Sequence, residues 1–193
     1  MPFNLPIFLT WLRVALIPLV VGVFYLPETW LAHYDQGVAA TVVFIVAAVT
    51  DWFDGYLARR LSQTSAFGAF LDPVADKLMV SGALLVLVQL DRVNAVIAFI
   101  IIGREIAISA LREWMAQIGA SKSVAVSSLG KIKTTAQMIA IPMLLFYDQF
   151  LYVIDTRIWG QWLLGVAAIL TVWSMFYYLR KAWPLIKEKG GHL

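Results

Sequence analysis

Four aspartates lie close together in the second quarter of an otherwise apolar chain. Their spacing predicts two helices, because residues three or four positions apart share one helical face. The first helix would carry Asp51 and Asp54 on one side, and the second would carry Asp72 and Asp76. The polar residues 60–66 between them are numerous enough to reverse the chain. We therefore expect two helices that hold four carboxylates face to face.

Such a cluster needs a compensating positive charge. Two like charges about 4 Å apart repel by roughly 4 kcal/mol at an effective dielectric constant near 20, and beside a membrane four cannot all stay ionised alone. Carboxylates are hard oxygen ligands and the chain has no cysteine, which favours Mg²⁺, Mn²⁺ or Ca²⁺ over zinc. The alternative is that Arg59, Arg60 and Lys77 neutralise the aspartates. We favour a metal site, because Arg60 and Lys77 lie off the carboxylate faces.

The composition indicates a membrane protein. Of the 193 residues, 61% are hydrophobic and 14% are charged, and the mean hydropathy is +0.80, which exceeds the apolar content of soluble domains. We predict one all-α domain over residues 1–193, with six transmembrane helices and a short interfacial segment at 1–13. The predicted helices cover about 7–26, 37–59, 67–90, 94–114, 131–150 and 158–179.

The positions of the charged residues predict the orientation. The apolar run at 37–49 is too short to cross a bilayer at 1.5 Å per residue, so its helix must continue through Asp51 and Asp54 at the membrane edge. In a six-helix arrangement every Lys and Arg except Arg92 and Arg157 falls on one side. Basic residues favour the cytoplasmic side. We therefore expect both termini and the aspartates on the cytoplasmic face of the membrane, where basic residues attract anionic lipids and phosphates.

A second polar cluster lies at 103–114. Arg104 and Arg112 share one helical flank there, and both are candidates for binding a phosphate, with the bidentate geometry that arginine favours. The alternative is an internal ion pair of either arginine with Glu105 or Glu113.

Three further cations have two possible roles each. Lys131 and Lys133 lie at the start of the fifth predicted helix and are expected to face a hydrated cavity between the helices. The alternative is that they only add to the positive charge of the inner membrane face. Arg13 lies inside an apolar segment, so its guanidinium either extends to the membrane surface or enters the cavity.

The aspartate spacing also carries a family resemblance. The pattern D-x-x-D-G-x-x-A-R at 51–59, followed by G-x-x-x-D-x-x-x-D at 68–76, resembles the signature of the CDP-alcohol phosphotransferase family at every fixed position. The segments N-L-P, L-T-x-x-R, F-G-A-F-L-D-P-V-A-D-K, R-E-I-A-I-S-A-L-R-E-W and G-K-I-K-T-T-A-Q-M are similar to one branch of that family. That branch transfers a phosphatidyl group from CDP-diacylglycerol to glycerol 3-phosphate.

The resemblance implies a homodimer of six-helix subunits, with one or two Mg²⁺ or Mn²⁺ ions per subunit. The implied reaction releases CMP and forms phosphatidylglycerol phosphate. Serine, inositol phosphate and phosphatidylglycerol are the alternative acceptors within the family, and no nucleic-acid partner is expected. From another class, a divalent-cation transporter would spread its carboxylates through the membrane and show an internal repeat. The clustered aspartates and the absence of a repeat argue against it.

The resemblance also assigns roles to individual residues. The expected metal ligands are Asp51, Asp54, Asp72 and Asp76. The expected CDP-diacylglycerol-binding residues are Asp51, Asp54, Gly55, Ala58, Arg59 and Gly68. The expected glycerol-3-phosphate-binding residues are Arg104, Arg112, Lys131 and Lys133. Asp76 is the predicted general base, since a carboxylate can accept a proton from a hydroxyl within hydrogen-bond reach. Without cysteine, and with both histidines far from the aspartates, direct displacement is the expected mechanism.

Overall fold

The computed structural model describes residues 5–60, 66–120 and 128–189. Within these ranges the chain is almost entirely helical, which confirms the all-α prediction. The α-helices there are α1 (Leu5–Gly22), α2 (His33–Arg60), α3 (Ala66–Gln89), α4 (Ala95–Gln117), α5 (Ser128–Phe146) and α6 (Thr156–Lys189). A 3₁₀ turn, Val23–Tyr25, follows α1, and a small antiparallel ladder of β1 (Gln149–Phe150) with β2 (Ile154–Asp155) joins α5 to α6.

The boundaries of the later helices follow local chemistry. The chain leaves α3 at Asp91, whose φ of 55° is left-handed and incompatible with a continuing helix. The side chain of Asn94 then accepts a hydrogen bond from the Val96 amide at 2.8 Å and caps α4. Tyr147, with a φ of 54°, ends α5. The prediction that the fifth helix reaches residue 150 was therefore wrong, because this turn starts the β-hairpin.

The first and last helices also differ from the prediction. Residues 5–13 do not form a separate interfacial segment, since α1 begins at Leu5 and continues without a break past Arg13. Thr10 and Arg13 are buried against other helices, which ties this stretch into the bundle. At the other end, α6 extends ten residues beyond the predicted end at 179, to Lys189.

The helices run alternately up and down, so that every second connection lies at the same end. At the end away from the aspartates, the Tyr25 hydroxyl donates to Oε1 of Gln89 at 2.7 Å. There, Arg92 donates to the carbonyl oxygen of Leu145 at 2.7 Å, close to the last residue of α5. The main core lies between these helices and includes the fully buried Phe44, Leu84, Leu87, Ile101, Ile141 and Leu144.

Two glycines let α5 approach its neighbours closely. A Cβ added at Gly37 of α2 would lie 2.9 Å from the Leu145 carbonyl oxygen, and one at Gly160 of α6 would lie 2.8 Å from Cγ of Leu144. Small residues commonly permit such contacts between membrane helices. The position of α5, which carries Lys133, therefore depends on these two glycines.

Three helices in the described part have both the length and the hydropathy of a membrane span: Phe8–Tyr25, His33–Phe53 and Thr156–Lys187. The sequence analysis predicted six transmembrane helices. Helices α3, α4 and α5 carry the charged and polar residues of the predicted site, which lowers their hydropathy. Large apolar side chains such as Phe99, Trp162 and Ile169 are more than two-thirds exposed, at 76%, 71% and 68%. Such an apolar surface indicates a membrane protein.

Candidate active site

Helix α1 contacts the aspartate cluster through two side chains one turn apart. Nη1 of Arg13 lies 2.5 Å from Oδ1 of Asp51 on α2. The hydroxyl of Thr10 donates to Oδ1 of Asp72 on α3 at 2.7 Å. Both α1 side chains are buried, whereas Asp51 keeps 44% of its side chain exposed. The first helix thus holds together the two helices that carry the carboxylates.

Arg13 therefore reaches into the aspartate cluster rather than to the membrane surface. The alternative to a metal site was neutralisation by Arg59, Arg60 and Lys77. The structure provides part of such neutralisation: Lys77 attracts Asp76 electrostatically. Arg60 instead contacts an aromatic ring on its own helix. The cation that pairs with Asp51 is Arg13 of α1, which is not one of the three residues named in that alternative.

The described carboxylates lie close enough together to interact electrostatically. Asp51 and Asp72 repel each other, and Asp76 is repelled by Asp51 and by Glu105 of α4. Among the side chains that the structure describes, no three histidine or carboxylate groups lie close enough together to form a complete metal site. The set of predicted metal ligands is incomplete in the structure, because the side chain of Asp54 lies outside the described residues.

The donor chemistry of this cluster fits a hard divalent cation. All the candidate ligating atoms are carboxylate oxygens, and one oxygen each of Asp51 and Asp72 is held by a cation or a hydroxyl in the structure. Both carboxylates are therefore stabilised by a positive charge or by a hydrogen-bond donor. Oxygen ligands of this kind suit Mg²⁺ or Mn²⁺.

The predicted nucleotide-binding residues are described only in part. Gly68 lies half-buried in the first turn of α3, one turn before Asp72. Gly55 and the side chains of Ala58 and Arg59 lie outside the described residues, although their backbone belongs to α2. Their roles stay predictions.

A cluster of cations surrounds Glu105 on the neighbouring helices. Lys133 of α5 donates to Oε1 of Glu105, and Nη1 of Arg104 lies 3.4 Å from the same oxygen. Nη2 of Arg104 also donates to the hydroxyl of Ser174 on α6 at 3.0 Å. Lys133 and Arg104 are 1% and 7% exposed. The internal ion pair considered for Arg104 therefore exists, and it includes Lys133.

Arg112 joins this cluster through an aromatic ring. The guanidinium carbons of Arg104 and Arg112 lie 5.7 Å and 5.4 Å from the ring centre of Tyr178, which is fully buried on α6. Cations at such distances are attracted by the π-electrons of the ring. Lys131, in contrast, is exposed on the surface of α5. Of the four predicted acceptor residues, three thus belong to one cluster.

Sequence reasoning did not identify several residues of this region. Thr10 stands one turn before Arg13 on α1, so the shared helical face was a usable signal. Ser174 and Tyr178 on α6 gave none, because a serine and a tyrosine in an apolar segment are ordinary membrane-helix residues. Their contacts with α4 depend on tertiary packing.

Replacing Glu105 by glutamine is expected to lower the free energy of unfolding by about 3 kcal/mol, because it leaves buried cations without a carboxylate. Denaturant titration of the purified protein in detergent would measure this change. Glu113→Gln, on the exposed side of the same helix, is the matched control and should change stability by less than about 0.5 kcal/mol. Equal losses in both variants would contradict a structural role for the Glu105 cluster.

A helical membrane bundle with an aspartate cluster and a neighbouring cation cluster is an arrangement suited to phosphate chemistry. The family model for CDP-alcohol phosphatidyltransferase matches residues 3–173. The chain belongs to this family, as the aspartate spacing predicted. It is 51% identical over 188 residues to the CDP-diacylglycerol–glycerol-3-phosphate 3-phosphatidyltransferase of Escherichia coli (strain K12), covering 94% of this chain and 96% of that protein. The protein of that name from Shigella sonnei (strain Ss046) gives the same values.

Proposed function

We propose that this chain transfers the phosphatidyl group of CDP-diacylglycerol to glycerol 3-phosphate, giving phosphatidylglycerol phosphate and CMP. The observation that carries the proposal is the 51% identity, over nearly the full length, to relatives named for this reaction. The aspartate cluster and the family match over residues 3–173 support the same chemistry. We also propose that residues 1–193 form a single domain.

The charge balance of the second cluster supports a phosphorylated acceptor. Arg104, Arg112 and Lys133 bring three positive charges to one end of the bundle, while Glu105 balances only one of them. The excess positive charge suits the phosphate of glycerol 3-phosphate, and arginine can bind it through two parallel hydrogen bonds. Lys131, exposed nearby on α5, would attract the phosphate from solution rather than hold it.

The metal proposed here is Mg²⁺ or Mn²⁺, with one or two ions per subunit. The residues that would hold it are Asp51, Asp54, Asp72 and Asp76. When bound, such an ion neutralises the diphosphate and the charge that develops on the departing CMP. Arg13 and Thr10 orient the carboxylates of Asp51 and Asp72 from the α1 side.

In the proposed reaction Asp76 takes the proton from the primary hydroxyl of glycerol 3-phosphate. The hydroxyl oxygen forms a new bond to the β-phosphorus of CDP-diacylglycerol, and the bond from that phosphorus to the CMP oxygen breaks. Asp76 lines a small cavity together with Glu105, so it lies between the aspartate and cation clusters. A base in that position can reach a hydroxyl whose phosphate lies among the cations.

The nucleotide side of the site is proposed from the family pattern. Gly55, Ala58 and Gly68 are small residues that leave space for the cytidine and ribose against α2 and α3. Arg59 would meet the diphosphate. These four residues and the two adjoining aspartates, Asp51 and Asp54, form the proposed binding surface for CDP-diacylglycerol.

The proposed setting is a bacterial inner membrane crossed by all six helices, with both termini and the site on the cytoplasmic side. Arg92 and Arg157, the two basic residues predicted on the opposite side, both lie over the ring of Tyr147, at 4.4 Å and 5.5 Å. Their shared location supports this orientation under the positive-inside rule. We further propose a homodimer in which each subunit has its own site.

An acceptor panel tests the reaction. The purified protein, supplied with CDP-diacylglycerol and Mg²⁺, is expected to release CMP at least about tenfold faster with glycerol 3-phosphate than with serine, inositol phosphate or phosphatidylglycerol. Serine has no phosphate for the cation cluster, phosphatidylglycerol has only a diester, and inositol phosphate has a larger, cyclic polyol. CMP release can be followed by chromatography, with the phosphatidyl product identified by mass spectrometry. Turnover with serine alone would overturn the proposed acceptor.

A further inference from the structure

A small cavity lies between α3, α4 and α5, next to the proposed base. Its volume is about 30 Å³, and its lining includes Asp76, Glu105, Thr134 and Gln137. This volume holds a single group the size of a water molecule. The cavity is therefore too small for a phosphate and large enough for one hydroxyl.

One polar atom at this cavity lacks a partner. Oε1 of Gln137 is buried and has no hydrogen bond among the residues that the structure describes, and Gln137 as a whole is only 4% exposed. A buried amide oxygen without a donor is costly, and such groups are normally paired with protein, water or ligand. A hydrogen-bond donor placed in the cavity would satisfy this oxygen.

The neighbours of Gln137 indicate which donor suits the cavity. Glu105 is already paired with Lys133, one helical turn away from Gln137 on α5. The lining has two carboxylates, Asp76 and Glu105, against the single ammonium of Lys77, and this net negative charge disfavours an anion. Because Lys133 already supplies positive charge to Glu105, a neutral donor is sufficient. A hydroxyl meets all these conditions.

We propose that Gln137 binds the secondary hydroxyl of the acceptor glycerol and so positions the primary hydroxyl beside Asp76. This inference rests on the proposed function and adds a specificity-determining residue to it. The acceptor would lie with its phosphate among Arg104 and Arg112 and with its middle carbon over the cavity. The secondary hydroxyl would then donate to Oε1 of Gln137, and an acceptor that lacks it would leave that oxygen unpaired.

The test compares glycerol 3-phosphate with 3-hydroxypropyl phosphate, which keeps the attacking hydroxyl and the phosphate but lacks the secondary hydroxyl. With the wild-type protein in lipid nanodiscs, kcat/KM is expected to be about tenfold or more lower for the analogue. In Gln137→Met, kcat/KM for glycerol 3-phosphate should fall by a similar factor while that for the analogue is retained. The preference ratio would then approach one, which a merely structural role would not produce.

The controls separate this inference from the reaction itself. Gln117→Met, at the exposed end of α4, should keep the wild-type ratio. Gln137→Asn serves as a second variant in case Gln137→Met fails to fold. Its shorter side chain keeps the amide but withdraws the oxygen from the cavity, so it should also lower the preference ratio. A wild-type ratio near one, or an unchanged ratio in both Gln137 variants, overturns the inference while the proposed function stands. Absence of any transfer to glycerol 3-phosphate in the wild-type protein overturns both.

Discussion

Replacing Asp76 by asparagine is expected to lower kcat for CMP release by about a thousandfold or more. The change removes the proposed general base, which alone contributes about 10²–10⁴ to rate, and it also removes one carboxylate from the proposed metal site. The amide cannot accept the proton from the primary hydroxyl of glycerol 3-phosphate. Steady-state turnover with saturating CDP-diacylglycerol and Mg²⁺ measures the loss.

Asp91→Asn is the matched control for this substitution. Asp91 is exposed at the opposite end of the bundle, and its left-handed backbone, with a φ of 55°, is one that asparagine adopts readily. This variant should keep nearly full turnover. A kcat for Asp76→Asn within tenfold of the wild-type value would contradict both roles of Asp76. Size-exclusion chromatography in detergent should first show that the variant elutes as the wild-type protein does.

Removal of divalent cations is expected to reduce turnover to less than about 1% of its value with Mg²⁺. The physical reason is the concentration of negative charge: the diphosphate of the substrate must approach Asp51, which already repels both Asp72 and Asp76. Without an added cation, that approach is opposed by every carboxylate in the cluster. The measurement is CMP release after treatment with excess EDTA.

Addition of Mg²⁺ or Mn²⁺ beyond the EDTA concentration should restore turnover, which excludes irreversible damage. The unfolding transition in EDTA provides a second control, since protein contacts such as that of Arg13 with Asp51 also hold these helices together. The fold should therefore survive chelation even though turnover does not. Undiminished turnover in EDTA would show that the aspartates act without a metal and would overturn this part of the proposal.

Much of the fold could be predicted because it depends on local patterns. Long apolar segments with polar ends predict helices in a membrane protein, and the six predicted segments correspond to α1–α6. The errors lie at the ends. The turn at Tyr147 is made by a residue with no turn preference. The prediction ended the sixth helix at the basic pair Arg180 and Lys181, through which α6 continues to Lys189. Neither feature changes the apolar segments on which the prediction was based.

The site was predictable where its residues are spaced along one helix, and not where they meet across helices. The aspartates share a face at intervals of three and four residues, so their proximity follows from helix geometry. The contacts of Arg13 with Asp51 and of Thr10 with Asp72 join residues far apart in sequence. In the same way, the sequence offered Glu105 as a partner for an arginine, but Lys133 reaches it from another helix. Only the packing of the helices decides such pairs.

The contacts of α1 have a consequence for biosynthesis. Synthesis proceeds from the N-terminus, so α1 enters the bilayer before the helices that carry the aspartates. Arg13 and Thr10 are thus synthesised before Asp51 and Asp72, the carboxylates with which they pair. A carboxylate at the edge of a membrane is costly without such a partner. The partners of both carboxylates therefore come from a helix that is synthesised before them.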